Sequence, residues 1–436
     1  MNDKEEPMHK PDGSKLELPT MDLDRALPPD GFSPELPAAL RRGRGRVSVQ
    51  LGLMMYMLRG IRIGRLDVTL PNGQTRHFVG TEPGPHGVLI LRSSKLVRHV
   101  LRAGEVGFGE AYMDDCWDTP DLCKLLMVMY LNEPYYKGPY EKNVVGRLYG
   151  WLKHKLRANT KTGARANIAF HYDLGNAFYR LWLDDTMAYS SAVFDRSRNE
   201  TLADAQIRKF AQMAARLELK PEHHLLEIGS GWGGFAVYAA QHFGCRVTSI
   251  TLSQEQLSAA RQRASDAGVA DRVQFELRDY RDIEARYDRI VSIEMYEAVG
   301  EAWWSTYFET IHRALKPGGR AAIQGITINP KIFDAYRHKR DFIQKYIFPG
   351  GMLCPPGHFQ DLAITAGLQP DDPKFFGLDY AETLAIWHRN VHAAQEAILQ
   401  QFDRRFLRMW RYYLAYCECG FRVGSIDLMQ ITLRRD

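Results

Sequence analysis

Residues Leu225–Gly234 read LLEIGSGWGG, a stretch in which an apolar segment leads into a glycine-rich turn that carries an acidic residue. The apolar segment predicts a buried strand, and the residues after the turn, FAVYAAQHFG, predict a helix. Gly229, Gly231 and Gly233 permit a tight turn and a close approach of the backbone to a ligand. The stretch therefore predicts a site for a nucleotide-like cofactor.

The glycine spacing alone is compatible with nicotinamide, flavin and S-adenosylmethionine (SAM). In a nicotinamide site, an acidic residue usually ends the next strand and binds the ribose hydroxyls. Here that strand, CRVTSI, runs into Thr251, Leu252 and Ser253 instead. Glu227 lies at the end of the first strand, and an acidic segment, LRDYRDI, precedes the later strand DRIVSIEM. This order favours SAM and a class I methyltransferase.

The pattern beyond residue 166 predicts the fold class. The predicted strands LLEI, CRVTSI, RVQFEL, DRIVSI and RAAIQGI alternate with helical or loop segments, and long helical spans follow residue 330. We therefore predict an α/β fold with a class I SAM-methyltransferase (Rossmann-like) doubly wound sheet. Ligands bind at the carboxyl ends of the strands of such a sheet. The candidate site residues at those ends are Ser230 to Gly233, Thr251, Asp279, Glu294 to Glu297 and Gln324.

Changes in composition divide the chain into segments. Residues 1–46 are rich in Pro, Gly and charge and are expected to be flexible. Residues 47–136 predict a smaller N-terminal α+β domain that buries its own core, with the helix VQLGLMMYMLRG, the strands RLDVTL and RHFVG, and the helices LVRHVLRAG and DLCKLLMVMYLN. Residues 137–166 predict a basic linker, and residues 167–436 predict the catalytic domain with a C-terminal helical cover.

Composition bounds the class of protein. At 436 residues the chain exceeds one typical domain, and its 45% apolar content supports a sizeable core. The first residues, MNDKEEPMHKPDGSK, lack the basic start and apolar core of a signal peptide, so a cytoplasmic protein is expected. The six cysteines are then expected to be reduced, and no His/Cys cluster predicts a metal site.

The charge distribution limits the classes of partner. A net charge of +5 is modest for this length and does not imply a general polyanion binder. Basic residues are concentrated at 41–46, which read RRGRGR, and at 153–165. Solvated linkers, an anionic membrane surface and nucleic acid are all compatible with such runs. No base-stacking or base-flipping element is recognisable in the sequence, so nucleic acid is not expected as a partner.

Several longer motifs occur from residue 47 onward. They are FGEAYMDDCWD, HYDLGNAFYRLWLDDTMAYSSAVF, LEIGSGWGGFA, TLSQEQ, LRDYRDI, YEAVG, DFIQKYIFPGG and YYLAYCECGFR. Together they resemble the cyclopropane-fatty-acyl-phospholipid synthases and the related mycolic acid cyclopropane synthases. Members of this family transfer a methyl group from SAM to the cis double bond of an acyl chain, usually in a phospholipid, and close a cyclopropane ring by losing a proton. The resemblance implies the same reaction here.

The chemistry leaves a second product open, because the methylated cation can lose a different proton and give a branched chain without a ring. An alkene is a weak nucleophile, so the site must align the sulfonium methyl with the π-bond and exclude water. Aromatic faces stabilise the cation, and a base must take its proton. Tyr296, Tyr346 and Phe348 are candidate wall residues. A lipid-binding protein without activity is a third reading, and the intact glycine turn argues against it.

The resemblance also implies which residues bind the cofactor. They are Tyr189 and Ser190 for the methionine part, Glu227, Gly229, Gly231 and Gly233 for the amino acid and ribose, Thr251, Ser253 and Gln256 near the ribose, and Asp279 and Tyr280 around the adenine. Ser253 and Gln256 also fit a helix capping box, Ser-x-x-Gln, so a purely structural role is an alternative for them.

The chain departs from the family at the catalytic base. Ring-forming members hold a bicarbonate ion as the base, using a Cys, a Glu, a His and a Tyr. Here Glu297 and Tyr380 match, whereas Ser191 replaces the Cys and Gln324 replaces the His. Glu294 stands where a glycine is usual, and we hypothesise that its carboxylate takes the place of bicarbonate as a built-in base. Two carboxylates close together would also raise the pKa of one of them.

Glu294 and Cys417 have alternative roles, and the segments outside the catalytic domain have expected partners. Glu294 has an alternative role in an ion pair with Arg320 or Arg337 outside the pocket. Cys417 matches a cysteine regarded as an active-site residue in the family, but methyl transfer to carbon needs no thiol, so a structural role is expected. The N-terminal domain and the linker are expected to dock on anionic headgroups at the inner face of the membrane. The sequence leaves the oligomeric state open, a homodimer included.

Overall fold

The computed structural model describes residues 49–136 and 174–436. The segment 1–46 that was predicted to be flexible lies outside the described residues, and so do the basic linker 137–166 and the two basic runs within these segments. The first residues of the predicted catalytic domain, 167–173, also lie outside them. Within the described ranges, no helix combines the length and the apolar content needed to cross a bilayer.

The N-terminal unit packs helices against a small sheet. Its elements are α1 (Val49–Met57), a 3₁₀ turn (Leu58–Gly60), β1 (Ile63–Thr69), β2 (Thr75–Val79), β3 (Glu82–Leu91), α2 (Lys95–Met113), β4 (Trp117–Asp118), α3 (Leu122–Leu131) and α4 (Glu133–Tyr136). The strand order is β2-β1-β3-β4. The predicted α1, β1, β2, α2 and α3 are confirmed. Strand β3 was not predicted, because its first half, EPGPH, resembles a loop in its proline and glycine content.

The second unit contains a seven-stranded sheet. Its first elements are α5 (Asn176–Tyr179), α6 (Leu202–Leu217), β5 (His224–Ile228), α7 (Gly234–Phe243), β6 (Arg246–Thr251), α8 (Gln254–Asp266), β7 (Val273–Leu277), β8 (Tyr287–Ile293), α9 (Trp304–Ala314) and β9 (Leu315–Ile328). It continues with α10 (Pro330–Arg337), α11 (Phe342–Tyr346), α12 (Pro356–Thr365), β10 (Gln369–Phe375), α13 (Gly377–Ala393), α14 (Gln395–Leu399), α15 (Arg404–Arg422) and β11 (Ile426–Arg434). Short 3₁₀ turns occupy Tyr280–Asp282, Tyr296–Ala298 and Glu301–Trp303.

The strand order in this sheet is β10-β11-β9-β8-β5-β6-β7. Strands β5 to β9 pair in parallel, and β11 runs antiparallel between β9 and β10. The chain moves outward from β5 in one direction to β6 and later returns to the other side at β8. This reversal creates a crevice at the carboxyl ends of β5 and β8, where ligands bind in doubly wound folds. The predicted α/β doubly wound sheet is confirmed.

The expectation of long helices after residue 330 is incomplete. Helices α13 and α15 fit it, but the chain also adds β10 and β11 to the sheet. Strand β10 reads QPDDPKF and is largely exposed, so its prolines and aspartates resemble a loop in sequence. Proline is tolerated there because β10 lies at the edge of the sheet and need not donate hydrogen bonds on both sides.

Helix α15 joins the two units. One hydrophobic core runs from Leu66 and Leu125 of the N-terminal unit to Trp410 and Tyr412 of α15. The sequence predicted that the N-terminal elements enclose a core of their own. This prediction was wrong, because they share one core with the C-terminal helix α15. The predicted boundaries of the two domains remain a prediction.

A buried arginine strengthens this contact. Arg408 of α15 is 6% exposed and donates hydrogen bonds to the carbonyl oxygens of Tyr112, at 2.5 Å, and Trp117, at 2.7 Å. Its guanidinium lies 3.7 Å from the centre of the Tyr112 ring and 3.6 Å from the carboxylate of Asp118. Buried carbonyl and carboxylate groups are costly to leave without partners, so this side chain fixes the position of α15 on the N-terminal unit.

We expect Arg408→Met to lower the free energy of unfolding by about 2 to 4 kcal/mol, because the carbonyl oxygens of Tyr112 and Trp117 lose this buried donor, although Asp118 keeps its hydrogen bond from Arg92. Arg404→Met is the matched control. Arg404 lies on the same helix and pairs with Asp115 at 3.3 Å, but its side chain is 65% exposed, so a loss of less than about 1 kcal/mol is expected. Urea unfolding of both variants checks this, and equal losses would contradict the role given to Arg408.

Candidate active site

A cavity of about 920 Å³ begins at the carboxyl ends of β5, β6 and β8 and extends to the N-terminal unit. At the sheet it is lined by backbone of the glycine turn and by polar side chains. Farther away its walls are mainly apolar and come from α1, α2, α3, α10 and α15. The cavity therefore joins a polar pocket suited to a cofactor with a channel suited to a hydrocarbon chain.

The glycine turn leaves space for a ligand. Gly229, Gly231 and Gly233 have φ angles of 97°, 48° and 81°, which favour glycine. A Cβ on Gly231 would meet no protein atom within 4 Å, whereas a Cβ on Gly233 would lie 3.0 Å from Ala260. Gly229 and Gly231 line the cavity, and Gly233 instead allows α7 to pack closely. Within the described part, the buried hydroxyl of Ser230 has no hydrogen-bond partner, so the turn offers both room and a polar contact to SAM.

Thr251, Ser253 and Gln256 form a connected group at the end of β6. The hydroxyl of Thr251 donates to the side-chain oxygen of Gln256 at 2.9 Å, and the backbone N–H of Ser253 donates to Thr251 at 3.1 Å. Ser253 accepts from the backbone N–H of Gln256 at 3.3 Å and caps α8, so its capping role is confirmed, but the Gln256 side chain binds Thr251 and does not complete the predicted capping box. Thr251 and Gln256 line the cavity, and Ser253 does not.

Of the two residues predicted at the adenine, one lines the cavity and the other does not. Tyr280 lines the cavity, and burial raises the pKa of its hydroxyl to about 12. Asp279 does not line it. Its carboxylate binds the side chain of Arg281 at 2.7 Å and accepts from the backbone N–H of the same residue at 3.0 Å. Its contact with adenine remains a prediction.

The residues predicted at the methionine part of SAM line the cavity. The hydroxyls of Tyr189 and Tyr413 lie 2.6 Å apart, and Ser190 accepts a hydrogen bond from the ammonium group of Lys209 at 2.6 Å. Glu227 also lines the cavity, and burial raises the pKa of its carboxyl to about 8. Lys209 was not predicted, because in the sequence it is one of several charged residues on the amphipathic helix α6.

Glu294 is the centre of the second group of predicted residues. It directly follows β8 and has a φ of 51°, a left-handed conformation that non-glycine residues rarely adopt. Its carboxylate accepts from the backbone N–H of Ser191 and the side-chain amide of Gln324, each at 2.8 Å, and from the hydroxyl of Tyr380 at 2.5 Å. Strain of this kind persists where the surroundings enforce it, often at functional sites.

The ion-pair alternative for Glu294 is wrong. Arg320 pairs with Glu218 at 2.8 Å, and Arg337 pairs with Glu301. Glu294 instead faces the cavity, which it lines together with Tyr380. Its hydrogen-bond donors are the residues that the resemblance placed around a bicarbonate ion.

A chain of hydrogen bonds fixes the direction in which Gln324 donates. Arg216 can only donate, and it donates to the side-chain oxygen of Gln430 at 3.3 Å. The amide nitrogen of Gln430 then donates to the oxygen of Gln324 at 2.9 Å. The amide nitrogen of Gln324 is thereby turned towards Glu294. Gln430 lies on β11, and the sequence alone does not show that this strand pairs with β9, which carries Gln324.

Glu297 is the second buried carboxyl group at this end of the cavity. Burial, with the nearby charge of Glu294, raises the pKa of Glu297 to about 8. One oxygen accepts from the backbone N–H of Ile326, and the other has no partner among the described residues. Burial also raises the pKa of Glu294, although the Tyr380 hydroxyl and the Lys209 charge oppose this. Glu297 is therefore largely protonated at neutral pH, and Glu294 is the better candidate for the ionised base.

The remaining candidates have different surroundings. Cys417 lines the cavity, but burial raises the pKa of its thiol far above neutrality, so it stays protonated. Of the three predicted wall residues, Phe348 lines the cavity. Tyr296 stacks on Trp304 in a separate core, and Tyr346 donates to Glu110 at 2.8 Å, so their placement at the cavity wall was wrong. The described residues contain no group of His, Cys, Asp and Glu side chains that could hold a metal ion.

The sequence model of a family described as “Mycolic acid cyclopropane synthetase” matches residues 159–431. The chain belongs to this family. The “Tuberculostearic acid methyltransferase UfaA1” of Mycobacterium tuberculosis is 39% identical over 372 residues, which cover 81% of this chain and 84% of that relative. The “Cyclopropane-fatty-acyl-phospholipid synthase” of Escherichia coli is 34% identical over 360 residues, which cover 79% and 87%.

A solved structure of this family has a similar fold. It is mycolic acid cyclopropane synthase CmaA1 complexed with SAH and CTAB, with a TM-score of 0.59 and 30% identity. The match covers 62% of this chain and 98% of that one. The resemblance found in the sequence is confirmed, and so are the enzyme class and the fold. The protein is a SAM-dependent methyltransferase, and its family methylates lipid chains.

We expect Glu297→Gln to remove a pH dependence of stability. A carboxyl group whose pKa rises from 4.5 to about 8 on folding stabilises the protein below pH 4.5, and this contribution is lost as pH rises towards 8. Between pH 6 and pH 8, the wild type should lose about 2 kcal/mol relative to the variant. Thermal unfolding of both proteins across this range measures the difference. Parallel curves would show that Glu297 is already ionised at pH 6.

Proposed function

We propose that this enzyme transfers the methyl group of SAM to the cis double bond of an unsaturated phospholipid acyl chain, with Glu294 as the base. The observation that carries the proposal is the cage around Glu294. Its carboxylate lies at the cavity wall and is held by Ser191, Gln324 and Tyr380. A base held in this way is in place before the substrate arrives, so little reorganisation is needed during the reaction.

The proposed reaction has a simple balance of atoms. SAM supplies an electrophilic methyl group on a positively charged sulfur. The π-electrons of the acyl chain form a new C–C bond to that methyl as the S–CH₃ bond breaks, and the positive charge moves to the neighbouring carbon of the chain. Glu294 then accepts one proton and becomes a neutral carboxylic acid. The acyl chain gains one CH₂ in total, and no oxidant or reductant is needed.

The cavity walls suit a hydrocarbon substrate and a cationic intermediate. Side chains such as Val97, Leu126 and Ile343 line the channel that leads from the N-terminal unit towards the base. Such a surface excludes water, which would otherwise add to the carbocation. The rings of Tyr189 and Tyr413, linked through their hydroxyls at 2.6 Å, line the same cavity and can stabilise positive charge through their faces.

The base position selects the product, and we infer a methyl-branched or methylidene chain that keeps one double bond. After a hydride shift moves the cation to the methyl-bearing carbon, loss of a proton from that methyl gives a methylidene chain, and loss from an adjacent chain carbon gives a methyl-branched alkene. Loss of a methyl proton without the shift closes the ring instead. Two features favour it: a base attached to the backbone in place of a mobile ion, and a relative at 39% identity that is named a tuberculostearic acid methyltransferase and not a cyclopropane synthase. Cyclopropane formation, the first expectation from the sequence, is the second candidate, favoured by the relative at 34% identity.

Substrate entry is proposed from a membrane surface. Leu101 and Tyr130 line the cavity and are 41% and 36% exposed, so the channel opens beside them at the N-terminal unit. The side chain of Lys339 also lines the cavity and is 60% exposed, and it pairs with Glu105 at 3.4 Å, so a cation that is partly neutralised by a carboxylate lies near this opening. An apolar opening with a nearby cation suits a phospholipid whose head group stays at the surface while its acyl chain enters.

The product assay tests the reaction itself. Purified enzyme is incubated with SAM and phospholipids that carry cis-monounsaturated chains, and the released fatty acids are examined by mass spectrometry and proton NMR. We expect a gain of one CH₂ with retained vinyl or methylidene protons. High-field ring protons with the same mass gain would identify a cyclopropane synthase, and no mass gain would contradict methyl transfer to these lipids.

The role of Glu294 is tested by Glu294→Gln. We expect turnover to fall by about 10² to 10⁴-fold, because the amide cannot accept the proton, while the dissociation constant for SAM stays nearly unchanged. Calorimetric titration with SAM and the product assay measure the two quantities. Glu301→Gln is the control, because Glu301 pairs with Arg337 in a partly exposed position. Full activity of Glu294→Gln would rule out this base.

The membrane proposal is tested with vesicles. We expect the enzyme to sediment with anionic vesicles at low salt and less at high salt, because exposed charges are screened. Leu101→Asp should weaken this binding by placing a charge at the apolar opening. Ile364→Asp is the matched control, because Ile364 is 60% exposed and does not line the cavity. Equal binding to neutral vesicles would count against the cationic contribution.

A further inference from the structure

Lys209 is an ammonium group buried beside the proposed base. It lies on α6 with no exposed surface, and its nitrogen donates to the hydroxyl of Ser190 at 2.6 Å. The same nitrogen lies 4.8 Å from the centre of the Phe210 ring. Among the described residues, its hydrogen bond goes to this hydroxyl and not to a carboxylate, and the charges of Glu294, Asp184 and Glu227 act on it through space. A lysine is rarely buried without a carboxylate in contact, so its retention here calls for a function.

The hydrogen bonds from α6 hold the segment that contacts Glu294. An ammonium group can only donate, so the Ser190 hydroxyl must accept from Lys209. Gln206, one turn earlier on the helix, donates to the carbonyl oxygen of Ser190 at 2.8 Å. The next residue, Ser191, donates its backbone N–H to Glu294. Lys209 is therefore connected to Glu294 through Ser190, which it contacts, and Ser191, which contacts Glu294.

The charge of Lys209 acts on the same carboxylate. It lies close enough to Glu294 to lower the pKa of that buried carboxyl, and Glu294 in turn opposes the fall in the pKa of Lys209 that burial causes, to about 8. Two opposite charges attract more strongly at such a buried position than they do in bulk water. A carboxylate that must be ionised to accept a proton benefits from a nearby fixed cation.

We propose that Lys209 is a positioning residue for the reaction, which supplies the positive charge that keeps Glu294 ionised and holds the Ser190–Ser191 backbone against it. This inference rests on the proposed role of Glu294 as the base. The other titratable groups facing this pair are Glu297 and Tyr380 beside Glu294, Tyr189 and Cys417 beyond Tyr380, and Asp184 and Glu227 beside Lys209. The other groups named here are carboxyl, phenol and thiol groups, so Lys209 is the group among them that can carry a positive charge.

Three substitutions separate the charge from the hydrogen bond. Lys209→Met removes both and keeps the apolar stem, Lys209→Gln keeps a donor for Ser190 without charge, and Lys209→Arg keeps the charge. Removing a cation raises the pKa of a neighbouring carboxyl, so the acid limb of the kcat against pH profile should move to higher pH by about one unit in the Met and Gln variants. It should stay near the wild-type position in the Arg variant. The KM for SAM should change less than kcat.

Exposed Lys220, beyond the end of α6, provides the control, and Lys220→Met should leave the profile unchanged. If Lys209→Gln keeps the wild-type acid limb, the charge has no role and the proposal is overturned. The proposal is also overturned if all three Lys209 variants lose activity but the acid limb of their pH profiles does not move. If the Arg variant does not fold, the comparison of the Met and Gln variants with the wild type still decides.

A second measurement does not depend on turnover. Urea unfolding of the wild type, Lys209→Met, Glu294→Gln and the double variant forms a double-mutant cycle. If the two charges attract, Lys209→Met destabilises the wild type more than it destabilises the Glu294→Gln background. Equal losses in both backgrounds would overturn the pairing. A wild type that methylates no acyl chain but shows this coupling would contradict the proposed function and leave the pairing intact.

Discussion

The burial of the Glu294 carboxylate is the constraint on which the site depends. A carboxylate taken out of water must receive hydrogen bonds, and these come from donors that are distant in sequence: Ser191 before α6, Gln324 on β9 and Tyr380 on α13. Each donor requires the element that carries it to be in place. The same constraint explains why a non-glycine residue adopts a φ of 51° at the end of β8, because the left-handed backbone directs the side chain towards its donors.

The requirement for a dry site is met by packing between the two units. Helix α15 shares its apolar surface with the N-terminal sheet and with α13, so the N-terminal unit is part of the wall of the cavity. This arrangement extends the polar pocket at the sheet into an apolar channel. A cofactor and a hydrocarbon chain can therefore meet in one cavity, and its apolar walls would limit water at the carbon atoms of the proposed reaction.

The residues that surround Glu294 occupy positions that the family resemblance placed around a bicarbonate ion. The resemblance placed a bicarbonate ion among a Cys, a Glu, a His and a Tyr, and this chain has Ser191 and Gln324 at two of those positions. In the structure, the donors that remain point to a carboxylate of the protein itself. A carboxylate attached to β8 has fewer positions available than a free ion. Small differences in its placement decide which proton it can reach, so the proposed change of base would also offer a route to a change of product.

The sequence by itself determined the doubly wound sheet, the glycine turn and the family, because strand periodicity, turn glycines and long motifs are local features. It also indicated Glu294, since an acidic residue stood where glycine was expected. The tertiary structure alone decided that Gln430 orients Gln324 and that Lys209 lies buried beside Ser190. It also decided that Tyr296 and Tyr346 lie away from the cavity wall. These facts depend on strand order and on packing between distant elements, above all on β11 and α15, and no local pattern encodes which side chains meet there.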